Sequence, residues 1–231
     1  MSNFLFNGFE PVSAAAWKQK IQVDLKGDDY NDTLLWKTEE GIVVKPFYTK
    51  EDSTNTKINV PEKGFNICQS IFIDDEKIAN YLALDALKRG ANAIQFKASK
   101  KFKYQKVLEK INISTIVIYF QFSFLDDDFQ IELSNFYSSE NVYFQTDILG
   151  NLAENGKWFI NLKEDYKKLE NIIASSKNCI SISGDLYQNA GATITQQLAY
   201  TLAHANEYLI YFGNVVSSQI HFTFSTGSNY F

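Results

Sequence analysis

SISGDLYQNAGATITQQLAYTLAHANEYL, residues 181–209, is the stretch on which the reading of this chain turns. A β-type run over 179–183 enters a polar turn at Gly184–Gln188. The small residues Ala190-Gly191-Ala192 then open a long helix. Ile194, Leu198, Leu202, Ala205 and Leu209 recur at helical spacing and predict one buried stripe. A turn at the carboxyl end of a parallel strand is where α/β proteins place their chemistry.

The same unit repeats on either side. Upstream, β-type runs are expected at 66–73, 93–96, 113–120 and 142–146, and downstream at 220–224. Helices are expected between them. Asp74 or Asp75 caps one that ends at Gly90, Ser99 caps a second through Ile111, and others cover 125–137 and 165–175. Residues 150–156 read as loop. Ile113–Phe120 is mostly apolar and β-branched, which predicts a strand buried on both faces. Six alternating units without hairpin turns predict an α/β fold with a parallel sheet and helical crossovers, either a doubly wound sheet or a (β/α)8 TIM-type barrel. Six units leave such a barrel incomplete, so the chain is expected to be part of a longer one, with Gly227-Ser228-Asn229-Tyr230 launching another helix.

Residues 1–64 precede this pattern as an arm and linker, and 65–231 form the partial barrel. In the arm, Ser13 caps a helix through Leu25 that carries Trp17 and Ile21 and stops at Gly27. Leu34–Tyr48 reads as an extended segment and 51–64 as a polar linker.

Composition narrows the function classes. The chain has 231 residues, 45% hydrophobic and 21% charged, with net charge −5. Apart from Lys97–Lys106 there is no basic block, so no nucleic-acid partner is expected. No signal peptide is read, and the apolar run at 111–125 is too broken to span a membrane, so a soluble cytoplasmic chain is expected. Cys68 and Cys179 read as buried free thiols, and two histidines cannot build a His-rich metal site. The acidic runs 74–76 and 126–128 read as helix caps. Ala190-Gly191-Ala192 reads as a close helix–strand contact rather than a phosphate loop. His204 is expected to be exposed, and His221 to lie in the last strand as a structural residue.

Residues following the strands would line a barrel mouth. That rule nominates Lys97, Asp147, Asp185 and Tyr187 as a substrate pocket, with Asp74 and Ser225 as further candidates. No Ser/His/Asp order, Cys/His pair or Gly-rich phosphate loop is present, so no catalytic, cofactor-binding or metal-ligating residue is nominated.

Taken together, SISG, AGAT, LAYTLA and EYL resemble a barrel strand and its following helix in the methylmalonyl-CoA mutase family. Residues 227–231 (GSNYF), and in the arm Trp17, 24–27 (DLKG), 35–38 (LWKT), 40–42 (EGI) and 46–49 (PFYT), resemble it too. The resemblance runs through nearly the whole chain. It implies an adenosylcobalamin-dependent isomerase that interconverts methylmalonyl-CoA and succinyl-CoA, with acyl-CoA threaded through the barrel and cobalamin on a separate domain. The chain departs from the catalytic pattern twice. Where catalytic subunits carry a Tyr-His pair after the Ser-Gly of the strand, Asp185-Leu186 stand, and leucine can donate neither a proton nor a hydrogen bond. The insertion that supplies a tyrosine before the first barrel strand is missing between Val60 and Asn66. The resemblance is therefore to the small, non-catalytic subunit, which binds no cofactor itself. It would partner the large catalytic subunit in a heterodimer, with the arm wrapping that partner through Trp17, Trp36 and Phe47. Two other readings stay open. One is a homomeric acyl-CoA mutase for a different acyl group, with Asp185 or His221 as donor. The other is a non-catalytic α/β binding module contacting its partner through 113–144.

Overall fold

The structure is a computed structural model that describes residues 8–53, 64–137 and 140–227. The chain divides into two compact units, Met1–Val60 and Pro61–Phe231. The linker expected at 51–64 lies largely outside the described residues, as does the helix expected after Gly227.

In the first unit, Ser13 Oγ accepts from Ala16 N and starts helix α1, Ala14–Asp24. The helix gives way at Lys26 and Gly27, both at positive φ (55° and 113°). A one-turn helix α2, Tyr30–Leu34, is capped by Asp29. The segment expected to be merely extended forms a short antiparallel pair, β1 (Trp36–Lys37) with β2 (Val43–Val44). Helix α1 buries no residue, Trp17 and Trp36 are about half exposed, and Trp17 meets Phe47 edge-on at 6.4 Å.

The second unit alternates strand and helix. Its elements in chain order are β3 (Cys68–Phe72), α3 (Glu76–Lys88), β4 (Ala93–Ala98), α4 (Tyr104–Val107), β5 (Val117–Phe122) and α5 (Asp127–Phe136). Then come β6 (Val142–Phe144), α6 (Ile148–Asn155), α7 (Leu162–Ser175), β7 (Ile180–Ser183), α8 (Asp185–Asn189), α9 (Ile194–Phe212) and β8 (Ile220–Thr223). Strands β3 to β6 form a parallel sheet in sequence order, and β7 pairs with β8, also in parallel. A parallel bridge between Thr146 and Ile180 joins β6 to β7. Each strand therefore lies beside its sequence neighbour, and the order never reverses as it would at the switch point of a doubly wound sheet.

The strands alternate. Ile71, Phe96, Phe120 and Phe144 share one register row and are buried against the helices. Phe96, Phe120 and Phe144 stack at 5.8 and 5.7 Å between ring centroids. Ser70, Gln95, Tyr119 and Tyr143 form the neighbouring row, directed to the opposite face. The apolar side packs into two cores. One lies under α3–α5, and the other gathers Ile148, Leu169, Ile172, Ile180, Ile182 and Tyr208 under α6, α7 and α9.

Several local expectations change. The strand expected at 113–120 begins at Val117, because Asn112 Oδ1 accepts from Ser114 N and Oγ and folds that stretch into a turn. Only one of its faces meets the helices. Residues 150–156 are mostly helix. Asp147 caps α6 through Gly150 N, and Gly156 ends it in the left-handed region. Ser99 caps nothing, and α4 is a single turn without a side-chain cap. Asp75 and Asp126 do cap α3 and α5. Cys68 is exposed on the first strand of the sheet, whereas Cys179 is buried, with its thiol pKa pushed up to about 12 by that burial.

The quoted stretch changes most. Gly191 stands at φ 99° with open space where a Cβ would lie, so it serves a turn rather than close packing. That turn separates α8 from α9, and α9 starts at a Thr193/Gln196 capping box. Helix α9 is rotated from expectation over its first half, whereas Ala205 is buried and Leu209 packs against the core as the stripe predicts. Ile194, Leu198 and Leu202 are about half exposed, while Gln197, Thr201, His204 and Tyr208 are buried. His204, expected outside, is 6% exposed. The rotation costs little because the buried polar atoms are paired. Gln197 donates to Ser225 O at 3.0 Å and accepts from Ser225 N at 3.1 Å, and Thr201 donates to Gln197 O at 2.6 Å.

Candidate functional site

The polar face of the sheet opens, at the carboxyl ends of the strands, into a cleft of about 1200 Å³. Its floor carries carboxamides from three neighbouring strands. Gln95 accepts from Ser70 Oγ at 2.9 Å and donates to Gln145 Oε1 at 2.5 Å and Gln121 Oε1 at 3.5 Å. Tyr119 stacks on Tyr143 at 5.3 Å, and Tyr143 meets the His221 ring edge-on at 5.3 Å. Both His221 ring nitrogens are buried without a hydrogen-bond partner, and that burial pushes its pKa down to about 4.

Of the residues nominated from sequence, Lys97, Asp147, Asp185 and Ser225 line the cleft. Asp74 stands exposed beside Lys100, outside the lining. Tyr187 is not part of the lining either. Its hydroxyl meets His204 Nδ1 at 3.0 Å, and its pKa is raised by burial and by the Asp147 charge. Helix α8 carries the decisive turn. Gly184 at its start is hemmed in, for a Cβ there would come within 2.9 Å of Phe224 Cδ1, Thr201 Oγ1 and Thr223 O. Asp185 accepts from the Ser183 hydroxyl and, at 3.4 Å, from Thr223 Oγ1, and Leu186 is the next residue on the cleft wall.

Sequence reasoning did not foresee the polar network behind this turn. Asp147 Oδ1 accepts from Tyr208 OH at 2.7 Å, His204 Nε2 at 3.0 Å and Gly150 N at 2.8 Å. A carboxylate only accepts, so His204 Nε2 carries a proton toward Asp147, and Nδ1 faces the Tyr187 hydroxyl. Tyr208, fully buried, also accepts from Leu149 N at 3.1 Å, and its pKa rises well above 10 through burial and the nearby Asp147 charge. The Asp147–His204–Tyr187 chain thus ties α6 and α9 to α8. Its signal in the sequence was the spacing Gln197, Thr201, His204, Tyr208, a second helical stripe beside the apolar one. The floor glutamines also left a signal, the recurrent Phe-Gln of Phe120-Gln121 and Phe144-Gln145.

Chemically, the cleft offers amide and hydroxyl hydrogen bonds and carboxylates. It places no hydrogen-bond donor at position 186. Among the described residues no group of three or more His, Cys, Asp and Glu is placed to hold a metal ion, and no helix is long and apolar enough to cross a membrane.

Residues 111–231 match the family model of methylmalonyl-CoA mutase. Over 267 aligned positions the chain is 27% identical to the methylmalonyl-CoA mutase small subunit of Porphyromonas gingivalis (strain ATCC BAA-308 / W83). That alignment takes in 98% of this chain and 42% of the relative, so the chain spans about two fifths of the length of the curated relative it matches. With more than half of its residues inside the family model, including the whole α8 turn and the polar network behind it, the chain belongs to the methylmalonyl-CoA mutase family.

Proposed function

We propose that this chain acts as the non-catalytic small-subunit part of an adenosylcobalamin-dependent methylmalonyl-CoA mutase, pairing with a large catalytic subunit that interconverts methylmalonyl-CoA and succinyl-CoA. The observation that carries the reading is the turn after β7. There Asp185 is occupied by the Ser183 and Thr223 hydroxyls, and Leu186 faces the cleft where a thioester carbonyl would need a proton or hydrogen-bond donor. The similarity to a protein named as a small subunit supports it. His221, with its pKa lowered to about 4, carries no imidazolium proton to give at neutral pH.

Strands β3 to β8 are read as consecutive staves of a (β/α)8 barrel. Support comes from their unbroken parallel order and from the alternation of a helix-facing apolar row with a polar row. Residues 65–231 form that barrel part, and 1–64 an arm that wraps the partner. The half-exposed Trp17 and Trp36 favour a role for the arm in an interface, where large aromatics contribute most. Adenosylcobalamin belongs to the holoenzyme. The two histidines of this chain do not suit a corrin cobalt, since His204 has both ring nitrogens engaged and His221 has both buried. No cofactor is assigned to residues 1–231, and the complex is placed in the cytoplasm.

The test is an assay of the full-length protein alone, then with the catalytic subunit, each with adenosylcobalamin and methylmalonyl-CoA. Succinyl-CoA is expected only with the catalytic subunit present, and the two proteins are expected to co-elute. Turnover by this protein alone sinks the reading.

A further inference from the structure

Asn155 and Gly156 close helix α6. Among the described residues Asn155 is the one asparagine that a glycine follows. That pairing has its own chemistry. The Gly156 amide nitrogen can attack the Asn155 side-chain carbonyl carbon, and glycine has no side chain to obstruct the approach. Even a Cβ at Gly156 would meet nothing within 4 Å, so the surroundings leave the approach open as well. Both residues are exposed, and Asn155 lines the cleft. Three hydrogen bonds oppose the reaction. Gly156 N donates to Leu152 O at 2.8 Å, and ring closure needs that same hydrogen removed. Asn155 Nδ2, the leaving group, donates to Asn151 Oδ1 at 3.0 Å. Asn151 Nδ2 donates to Lys157 O at 2.8 Å, which ties the chain beyond the turn back to the helix.

We propose that Asn155 is a deamidation site gated by the last turn of α6 and held in check by Asn151. When the turn opens, Gly156 N loses its proton to solvent base and bonds to Asn155 Cγ. The Cγ–Nδ2 bond breaks and the nitrogen leaves as ammonia, giving a succinimide. Water then opens the ring at either carbonyl, to aspartate or isoaspartate. The product puts a carboxylate on a cleft wall that already carries Glu154. It stands at the C-terminal end of a helix, where negative charge is unfavourable, and it lacks the Nδ2 donor that Asn151 held. Deamidation thus loosens the turn that restrained it. Because opening precedes chemistry, the rate follows the population of the open turn. The inference rests on these bonds and is independent of the subunit reading.

The experiment incubates the full-length protein in mildly alkaline buffer, folded and in unfolding urea, beside Asn151→Ala. Alanine keeps the helix and removes two of the three hydrogen bonds. Proteolysis and mass spectrometry follow the peptide that contains residue 155. The folded protein is expected to form aspartyl and isoaspartyl product about tenfold or more slowly than the unfolded chain, and N151A about tenfold faster than the unaltered folded protein. Folded protein that forms no product at Asn155, equal rates folded and unfolded, or an unchanged rate in N151A each overturns the proposal. Should N151A fail to fold, hydrogen exchange on the unaltered protein decides. The Gly156 amide is expected to exchange faster than the buried amide of Ile180, and equal protection of the two overturns the gating by a local turn.

Discussion

His221 makes the stability of the second unit depend on pH in a calculable way. In the unfolded chain its imidazole titrates near 6.5, and in the folded chain burial lowers that to about 4. The folded state thus holds the ring neutral over a range in which the unfolded chain binds a proton. Stability from this group is fully present above about pH 6.5 and is lost as pH falls towards 4. At ~1.36 kcal/mol per pKa unit, the whole window is worth about 3 kcal/mol. Roughly 2 kcal/mol of it falls between about pH 7.5 and pH 5, above the range in which carboxylates titrate. The perturbation is His221→Phe, which keeps a ring for the edge-on contact with Tyr143 and removes two buried nitrogens that have no partner. The assay is urea unfolding of the full-length protein and of the variant across that pH range. The unaltered protein should lose about 2 kcal/mol relative to H221F on acidification, and H221F should be at least as stable at neutral pH, because it no longer buries unpaired polar atoms. Parallel pH profiles for the two proteins refute the reasoning.

Gly184→Ala should destabilise the protein. The new methyl lies within 2.9 Å of Thr223 O, which cannot withdraw without losing its bond from Gly184 N at 2.8 Å, so overpacking of about 1–3 kcal/mol should exceed the ~0.4–1 kcal/mol gained from a stiffer unfolded chain. A fall in the urea midpoint checks this, and an unchanged or higher midpoint contradicts it. The two thiols should separate cleanly in a labelling experiment. Cys68, exposed, should react with a maleimide in the folded protein, whereas Cys179, fully buried with its pKa near 12, should react only after denaturant is added.

How much of this was legible beforehand depended on which signal each element carries. The order of strands and helices was readable because β-branched and aromatic runs alternate with capped helical stripes, and Asp75 and Asp126 cap as their positions suggested. Helix α9 was misread because it has two apolar-compatible faces. Leucines at 198 and 202 advertise one, but hydrogen bonding makes the other, with Gln197, Thr201 and His204, equally fit for burial. Helix α6 was missed because Gly150 reads as a breaker, although Asp147 and Gly156 sit at its two ends as cap signals. The rule that chemistry follows the strands found Lys97, Asp147, Asp185 and Ser225. It could not find Gln95 and Gln121, which lie inside β4 and β5, and Gln145, directly after β6, was read as part of that strand.

The α8 turn and the network behind it bear different duties: the network fixes where the turn sits, and residues 185 and 186 fix what the turn presents to the cleft. The position of α8 is set by Gly184, pressed against β8 and α9, and by Tyr187, anchored to His204 and through it to Asp147. None of these anchors depends on what stands at 186. A change at 186 would therefore leave the scaffold in place, while Asp185 is held by the Ser183 hydroxyl, which in turn accepts from Thr223 Oγ1 at 3.1 Å. Placing a histidine at 186 alone would put a ring on the cleft wall beside the Asp185 carboxylate, whose charge would favour keeping the proton on that ring. On the proposed non-catalytic reading, the pair Asp185-Leu186, not the single residue, is the unit that sets this turn apart from a catalytic one.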